Sequence, residues 1–182
     1  FGEIEHVLTR DERSSAFMAD GYAKVSGRPG ICESPSVGST HILPGIAESF
    51  KGANPVIAFT SDIPLHMESR NMLTGLNQSA LFAGITKATF TLTHPDEVPH
   101  VVRRAFRIAT TGKPGPVHVR VPMDLLGREA ESPNLAVQPD FARFPGHRPV
   151  AALSSIDQAL EALEKAQRPV IVCGQGVLAS QA

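Results

Sequence analysis

Val56-Ile57-Ala58-Phe59-Thr60 is a continuous apolar run within a chain of 182 residues. A run without polar alternation indicates a strand that is buried on both faces of a parallel sheet. Shorter strands are predicted at 31–34 and 116–121, and residues with helical spacing lie between the strands. This alternation is typical of an α/β fold in which helices cover both faces of a parallel sheet.

Other elements follow from the same patterns. The predicted helices cover 10–25, 39–52 with Ser39 or Thr40 as the cap, and 98–109, and the further predicted strands cover 5–9 and 89–93. Residues 128–150 contain several prolines and no sustained period, which predicts a linker. A helix near 156–163 and a strand at 169–174 then predict the start of a second α/β domain at 151–182, after a first domain at 1–127.

Composition excludes several classes of protein. Lys and Arg number 17 and Asp and Glu 18, so the net charge of −1 lacks the basic excess of a nucleic-acid or anionic-membrane binder. Cys32 and Cys173 each lie in an apolar run, which predicts two buried, reduced thiols. There is no membrane-length apolar stretch and no H-x-x-x-H pair among the seven histidines. We expect a cytoplasmic location and no metal held by these residues.

Three features could carry chemistry. The loop 35–40 follows a strand and opens a helix, where small residues let a ligand approach the backbone; a plain tight turn remains the alternative. Glu12 stands at the start of the first helix and suits proton chemistry, although Thr9 to Glu12 also spells a T-x-x-E capping box. The long connection from Asp62 to Gln78 is predicted to contact substrate.

Residues 10–30, RDERSSAFMADGYAKVSGRPG, resemble the HE…AA…A.GYAR.TG.PG segment of thiamine diphosphate enzymes of the acetolactate synthase and 2-oxo acid decarboxylase type. Stretches at 35–45, 54–57, 85–87 and 112–124 agree in order and spacing. The resemblance implies a flavodoxin-like pyrimidine-binding domain, incomplete at its N-terminus, followed by a truncated central domain. It also implies an N-terminal fragment, inactive alone, because the family's metal-binding Gly-Asp-Gly and Asn motif is not in the sequence.

The resemblance assigns Glu12 as the catalytic group. Its carboxyl would hydrogen-bond the aminopyrimidine ring of thiamine and favour the imino tautomer, in a dry site where burial should raise the pKa of the glutamate. The residues implied to line the cofactor with it are Pro35, Ser36, Val37, Gly38 and His41.

Some positions depart from the family pattern. Ser36-Val37 replaces Gly-Pro, and His41, Asp62 and Asn77 stand where acetolactate synthases usually have Asn, Gln and Phe. The implied substrate pocket is therefore more polar than one for two pyruvates, and it consists of His41, Asp62, His66, Asn77 and Gln78.

For the whole protein, the resemblance implies a lyase or carboligase that acts on a 2-oxo acid. Thiamine diphosphate and Mg²⁺ would be used, with the diphosphate and metal held by another domain, in a homodimer or homotetramer. It leaves open whether the central domain holds FAD. Two alternatives remain: a non-catalytic α/β interaction or regulatory module of the same fold, and a flavodoxin-like domain that binds a nucleotide phosphate at the Gly38 turn.

Overall fold

A four-stranded parallel sheet is the centre of the computed structural model, which describes residues 4–131 and 133–180. The strands are β1 (Gly30–Ser34), β2 (Val56–Asp62), β3 (Ala88–Thr91) and β4 (Val117–Pro122), in the spatial order β1-β2-β4-β3. Cys32 pairs with Ala58, and Thr60 pairs with Arg120. The predicted parallel sheet is confirmed, and the apolar run at 56–60 lies in one of its two central strands.

Six helices surround or follow this sheet in the described part of the chain. They are α1 (Glu12–Ser26), α2 (Ser39–Gly52), α3 (Gln78–Ala83), α4 (Val98–Thr110), α5 (Leu153–Lys165) and α6 (Gln175–Ser180). Within residues 4–131 and 133–180, no helix combines the length and apolar character that a bilayer crossing requires.

The two faces of the sheet carry separate hydrophobic cores. Val56 and Ala58 face the core that α1 and α2 share with the sheet, whereas Ile57 faces the core beneath α4. Successive strand residues point to opposite faces, so one short apolar run supplies both cores. The prediction of helices on both faces is therefore confirmed.

Close packing joins α1 to α2. A Cβ atom on Gly45 would lie 2.6 Å from the Cβ of Ala16, so glycine is needed for this approach. The buried carboxylate of Asp20 accepts hydrogen bonds from Ser49 Oγ at 2.9 Å and Asn54 Nδ2 at 2.8 Å, and Lys24 Nζ lies 2.6 Å from its other oxygen. These contacts fix the relative position of the two helices.

Two predicted strands are not strands. Residues 5–9 and 169–174 form no ladder with the sheet, and Leu8 and Val172 are more than nine-tenths exposed. A strand needs a neighbour to hydrogen-bond its backbone, and neither segment has one in the described part of the chain. Cys173 is therefore exposed and its predicted burial is wrong, whereas Cys32 is buried as predicted.

The segment predicted as a linker lies along α4 and runs in the same direction as the helix. Arg103 Nη1 donates to the carbonyl of Asn134 at 2.6 Å, Arg107 Nη2 donates to Gln138 Oε1 at 2.8 Å, and Gly146 N donates to Thr110 O at 2.9 Å. By contrast, α5 has no buried residue. The domain boundaries stay predictions, and positions 1–3, 132 and 181–182 within them lie outside the described residues.

His118 is a buried histidine in the core. Its ring stacks on Phe82 with centroids 4.0 Å apart, and its Nε2 lies 2.7 Å from Thr60 Oγ1. The single hydroxyl hydrogen of Thr60 goes to Gln78 Oε1, so Nε2 carries the imidazole hydrogen and Nδ1 is bare and without a partner. Burial, assisted by the charge of Arg120, lowers the pKa of His118 to about 3.

Replacement of His118 by Gln is expected to flatten the pH dependence of stability. Unfolded His118 binds a proton near pH 6.5 and folded His118 only near pH 3, so the free energy of unfolding should fall by up to about 1.4 kcal/mol per pH unit as the pH drops between them. Urea unfolding between pH 6 and 5 measures this slope. The exposed His147→Gln is the control, and an unchanged slope in His118→Gln would contradict the assignment.

Candidate functional site

Glu12 begins α1, and it does not act as a cap. The N-cap is Asp11, whose carboxylate accepts from the backbone N–H of Arg13 at 2.9 Å, and Thr9 lies two positions before that cap. The capping-box alternative is therefore wrong, because the shorter carboxylate next to Glu12 already satisfies the helix terminus. This leaves the carboxylate of Glu12 free to point elsewhere.

The carboxylate of Glu12 lies against the turn between β1 and α2. Its Oε2 is 3.1 Å from Nδ1 of His41, in the first turn of α2. A Cβ atom on Gly38 would lie 2.6 Å from Glu12 Oε1 and 2.9 Å from Ser34 Oγ. Only glycine at position 38 leaves space for this arrangement, so the turn is built around the carboxylate.

The expected rise in the pKa of Glu12 is not found. The pKa is lowered, first by a hydrogen bond from its own backbone N–H and then by the ring of His41, and these outweigh the effect of burial. About a third of the side chain is exposed, so water and the two donors stabilise the charged form. Glu12 is therefore ionised in this chain, and its lowered pKa makes it a weaker base than an ordinary glutamate.

Two buried hydroxyl groups near this turn have no hydrogen-bond partner among residues 4–131 and 133–180. They are Ser34 Oγ at the end of β1 and Ser39 Oγ in the first residue of α2. The predicted capping by Ser39 or Thr40 is wrong: Gly38 is the N-cap and no side chain caps α2, while Thr40 Oγ1 donates back to Val37 O at 2.9 Å. Unpaired buried hydroxyls beside a carboxylate can serve a polar ring that carries both donors and acceptors.

Ser36 connects the turn to the long loop. Its φ of +22° lies at the edge of the left-handed region, and its Oγ donates to the carbonyl of Thr74 at 2.5 Å. This hydrogen bond attaches the loop 63–77 to the turn. The neighbours Pro35 and Val37 are exposed and leave the turn accessible.

The predicted pocket residues do not form one cluster. Asn77 and Gln78 line a cavity of about 330 Å³ under the long loop. Asn77 also caps α3 by accepting from Ala80 N, and the buried amide of Gln78 donates to Ser61 O at 2.9 Å. His66 does not line this cavity; it is exposed, and its Nδ1 lies 4.0 Å from Asp124 Oδ2.

Asp62 reaches that cavity through a second residue. Its fully buried carboxylate accepts from Arg120 Nε at 2.6 Å, and Arg120 lines the cavity. Glu68 also binds the Arg120 guanidinium. Burial opposes the charge of Arg120, but the two carboxylates outweigh it and raise its pKa.

Sequence reasoning missed Ser34 and Arg120, and it did not single out Ser39 and Glu68 within the loops 35–40 and 62–78 that it predicted to contact a ligand. A charged residue inside the apolar strand Val117–Pro122 could have indicated Arg120, because a buried charge needs an opposite charge nearby. The two serines gave no such indication, since serine is common in turns.

Comparisons with known proteins agree with this geometry. Residues 2–81 match the family model described as "Thiamine pyrophosphate enzyme, N-terminal TPP binding domain". The probable acetolactate synthase large subunit of Methanocaldococcus jannaschii is 37% identical over 183 aligned positions, and the alignment covers 99% of this chain and 31% of that protein.

Two further relatives are of similar closeness. The acetolactate synthase large subunit of Corynebacterium glutamicum is 32% identical, with 99% of this chain and 29% of that protein covered. The probable 2-ketoarginine decarboxylase of Pseudomonas aeruginosa is 34% identical, with 97% of this chain and 32% of that protein covered. The chain spans about a third of the length of these curated relatives. The matched residues include Glu12, Gly38 and His41, and the chain belongs to the thiamine pyrophosphate enzyme family as a carrier of its N-terminal TPP binding domain.

Proposed function

We propose that this chain supplies the pyrimidine side of a thiamine diphosphate site in a lyase or carboligase that acts on a 2-oxo acid. The observation that carries the proposal is the carboxylate of Glu12, which is not the N-cap of α1 and lies against the Gly38 turn. The relatives named as acetolactate synthases and as a 2-ketoarginine decarboxylase support the choice of substrate class.

The residues present fit the aminopyrimidine ring of thiamine. Glu12 offers a carboxylate, Ser34 and Ser39 offer buried hydroxyls without partners in the described part of the chain, and Gly38 has no side chain that would displace the carboxylate. Thiamine diphosphate, when bound, supplies the nucleophilic carbon and the electron sink for cleavage of the bond next to a 2-oxo acid carbonyl. Glu12 would hold the ring and exchange a proton with it.

The surroundings of Glu12 suit proton exchange. In this chain its carboxylate is ionised, because its own N–H and His41 stabilise the negative charge. A ring that covers the carboxylate removes water and raises the pKa of a carboxyl group. Proton uptake by Glu12 is then coupled to cofactor binding, and His41 limits how far that pKa rises.

The proposal extends to the rest of the enzyme. We expect Mg²⁺ to hold the diphosphate on another domain, and the two domains to meet between subunits of a homodimer or homotetramer in the cytoplasm. The lining residues Asn77 and Gln78 and the ion-paired Asp62 support a substrate that is more polar than pyruvate.

Glu12→Gln in the full-length protein is expected to retain thiamine diphosphate but lose turnover by at least about a hundredfold, as removal of a general acid–base group does. The amide keeps the shape and loses the exchangeable proton. Calorimetric binding with Mg²⁺ and turnover of pyruvate and glyoxylate are the measurements. Glu33→Gln, at an exposed carboxylate on β1, is the control. No cofactor binding by the unmodified protein would favour the non-catalytic module instead.

Gly38→Ala is expected to weaken thiamine diphosphate binding at least about tenfold. The new methyl group meets Glu12 Oε1 at 2.6 Å, so the carboxylate must leave its position. Gly21→Ala in α1 is the matched control, because nothing lies within 4 Å of its added Cβ. Calorimetric titration of both variants tests this, and equal affinities would show that the turn does not position Glu12.

His41→Asn is expected to raise the pKa of Glu12 toward its ordinary value, since the imidazole at 3.1 Å is one of the two causes of the lowered pKa. The carboxyl carbon of Glu12, followed by NMR against pH without cofactor, reports this pKa directly. We also expect substrate preference to change while cofactor affinity stays nearly constant. A titration that coincides with that of the unmodified protein would exclude His41 as a partner.

A further inference from the structure

The ion pairs of Arg120 form an asymmetric group at the carboxyl ends of β2 and β4. Asp62, at the end of β2, is fully buried and binds Arg120 Nε at 2.6 Å. Glu68, in the loop, binds the Nη1 side of the same guanidinium, and almost half of its side chain is exposed. Asp62 therefore fixes the guanidinium, whereas Glu68 is a contact that can be exchanged.

Burial and donor capacity make Arg120 suited to a ligand. Its side chain is only 11% exposed, so a contact made there is weakly screened by water. A guanidinium carries more N–H donors than these two contacts use, in a planar fork that matches a carboxylate. The backbone N–H of Ile63 satisfies the other oxygen of Asp62 at 2.7 Å, so Asp62 stays in place when Glu68 moves away.

The space in front of Arg120 is large enough for a small molecule. The cavity of about 330 Å³ is lined by Arg120 and Arg70 together with polar side chains, among them Asn71, Asn77, Gln78 and Ser79. Gly75 and Met72 line the same cavity, and the intervening Thr74 carbonyl accepts the hydrogen bond from Ser36. The loop that lines the cavity is therefore attached to the turn that holds Glu12.

We propose that Arg120 is the anchor of a site for the carboxylate of a small organic acid, and that Glu68 occupies this site when no ligand is present. The incoming carboxylate takes the place of the Glu68 carboxylate on the guanidinium, while Asp62 keeps its own contact. No covalent bond changes. The binding site itself does not depend on the proposed function. The assignment of the carboxylate to a 2-oxo acid substrate rests on the proposed function.

Binding of glutarate by the full-length protein tests the site, with its neutral diamide, glutaramide, as the matched ligand. Calorimetry should show binding of glutarate and at least about tenfold weaker binding of the diamide, as expected when a charge-assisted pair is lost. Glu68→Gln should tighten glutarate binding by roughly threefold to tenfold, because an internal competitor is weakened. Arg120→Met should abolish it, and Arg128→Met, at an exposed arginine, is the control.

Arg120→Met leaves Asp62 unpaired, so this variant could fail to fold. Glu68→Gln is then the decisive variant, because the side chain of Glu68 is about half exposed and its replacement should not disturb folding. Unchanged glutarate affinity in Glu68→Gln would overturn the proposal. A preference of the unmodified protein for the cation agmatine over glutarate would also overturn the proposal, since the carboxylates of Asp62 and Glu68 would then be the binding groups.

Turnover separates the two sources of the carboxylate. If it is a second carboxylate of the substrate, remote from the oxo group, Arg120→Met lowers kcat/KM for 2-oxoglutarate and spares that for pyruvate, which has no second carboxylate. If the carboxylate belongs to an effector, glutarate binds, but Arg120→Met changes kcat/KM for 2-oxoglutarate and for pyruvate by the same factor. Either result supports the site. Glu12→Gln should bind glutarate normally, so failure of the proposed function would not affect this test.

Discussion

The buried carboxylate of Asp20 is the constraint on which the position of the site depends. It lies where α1 packs on α2, and a buried charge is tolerated only when its hydrogen bonds are satisfied. Ser49, Asn54 and Lys24 provide them from α2, the chain after it and α1 itself. Since Gly45 also lets the helices approach closely, the two helix starts have little freedom, and these starts carry Glu12 and His41.

Three carboxylates show how burial and partners divide their roles. Asp20 and Asp62 are buried and each holds a basic side chain at 2.6 Å, which makes them structural groups. Glu12 is partly exposed, contacts a histidine and lies next to two hydroxyls without partners. The exposure of Glu12 and the hydroxyls beside it leave hydrogen-bonding capacity for a ligand, whereas Asp20 and Asp62 are already occupied by their basic partners.

The sequence predicted the sheet and its helices because the apolar periods are local and strong. It failed at 5–9 and 169–174, where apolar composition favours a strand but no neighbouring strand pairs with the segment. A strand is a property of the sheet that accepts it, and composition alone does not report that partner. The same reason explains Cys173, whose predicted burial depended on the predicted strand.

The candidate site shows a similar limit. Glu12, Gly38 and His41 were predicted from a motif, and the structure brings them together. The motif could not show that Asp11 takes the capping role, nor that Asp62 is paired with Arg120, because both depend on side-chain geometry. Ser34 and Ser39 stand out only when their missing partners are visible.

The long loop connects the two polar regions of the molecule. It is attached at Ser36 to the turn that holds Glu12, and at Glu68 to the guanidinium of Arg120. Leu65 N also donates to Asp124 Oδ1 at 3.2 Å, so a ligand that displaces Glu68 releases one of several attachments of this segment. Contacts at an exposed loop have low local stability, so small interaction energies are enough to redistribute its conformations. The cavity and the turn that holds Glu12 therefore share this one segment of the chain, which joins them outside the sheet.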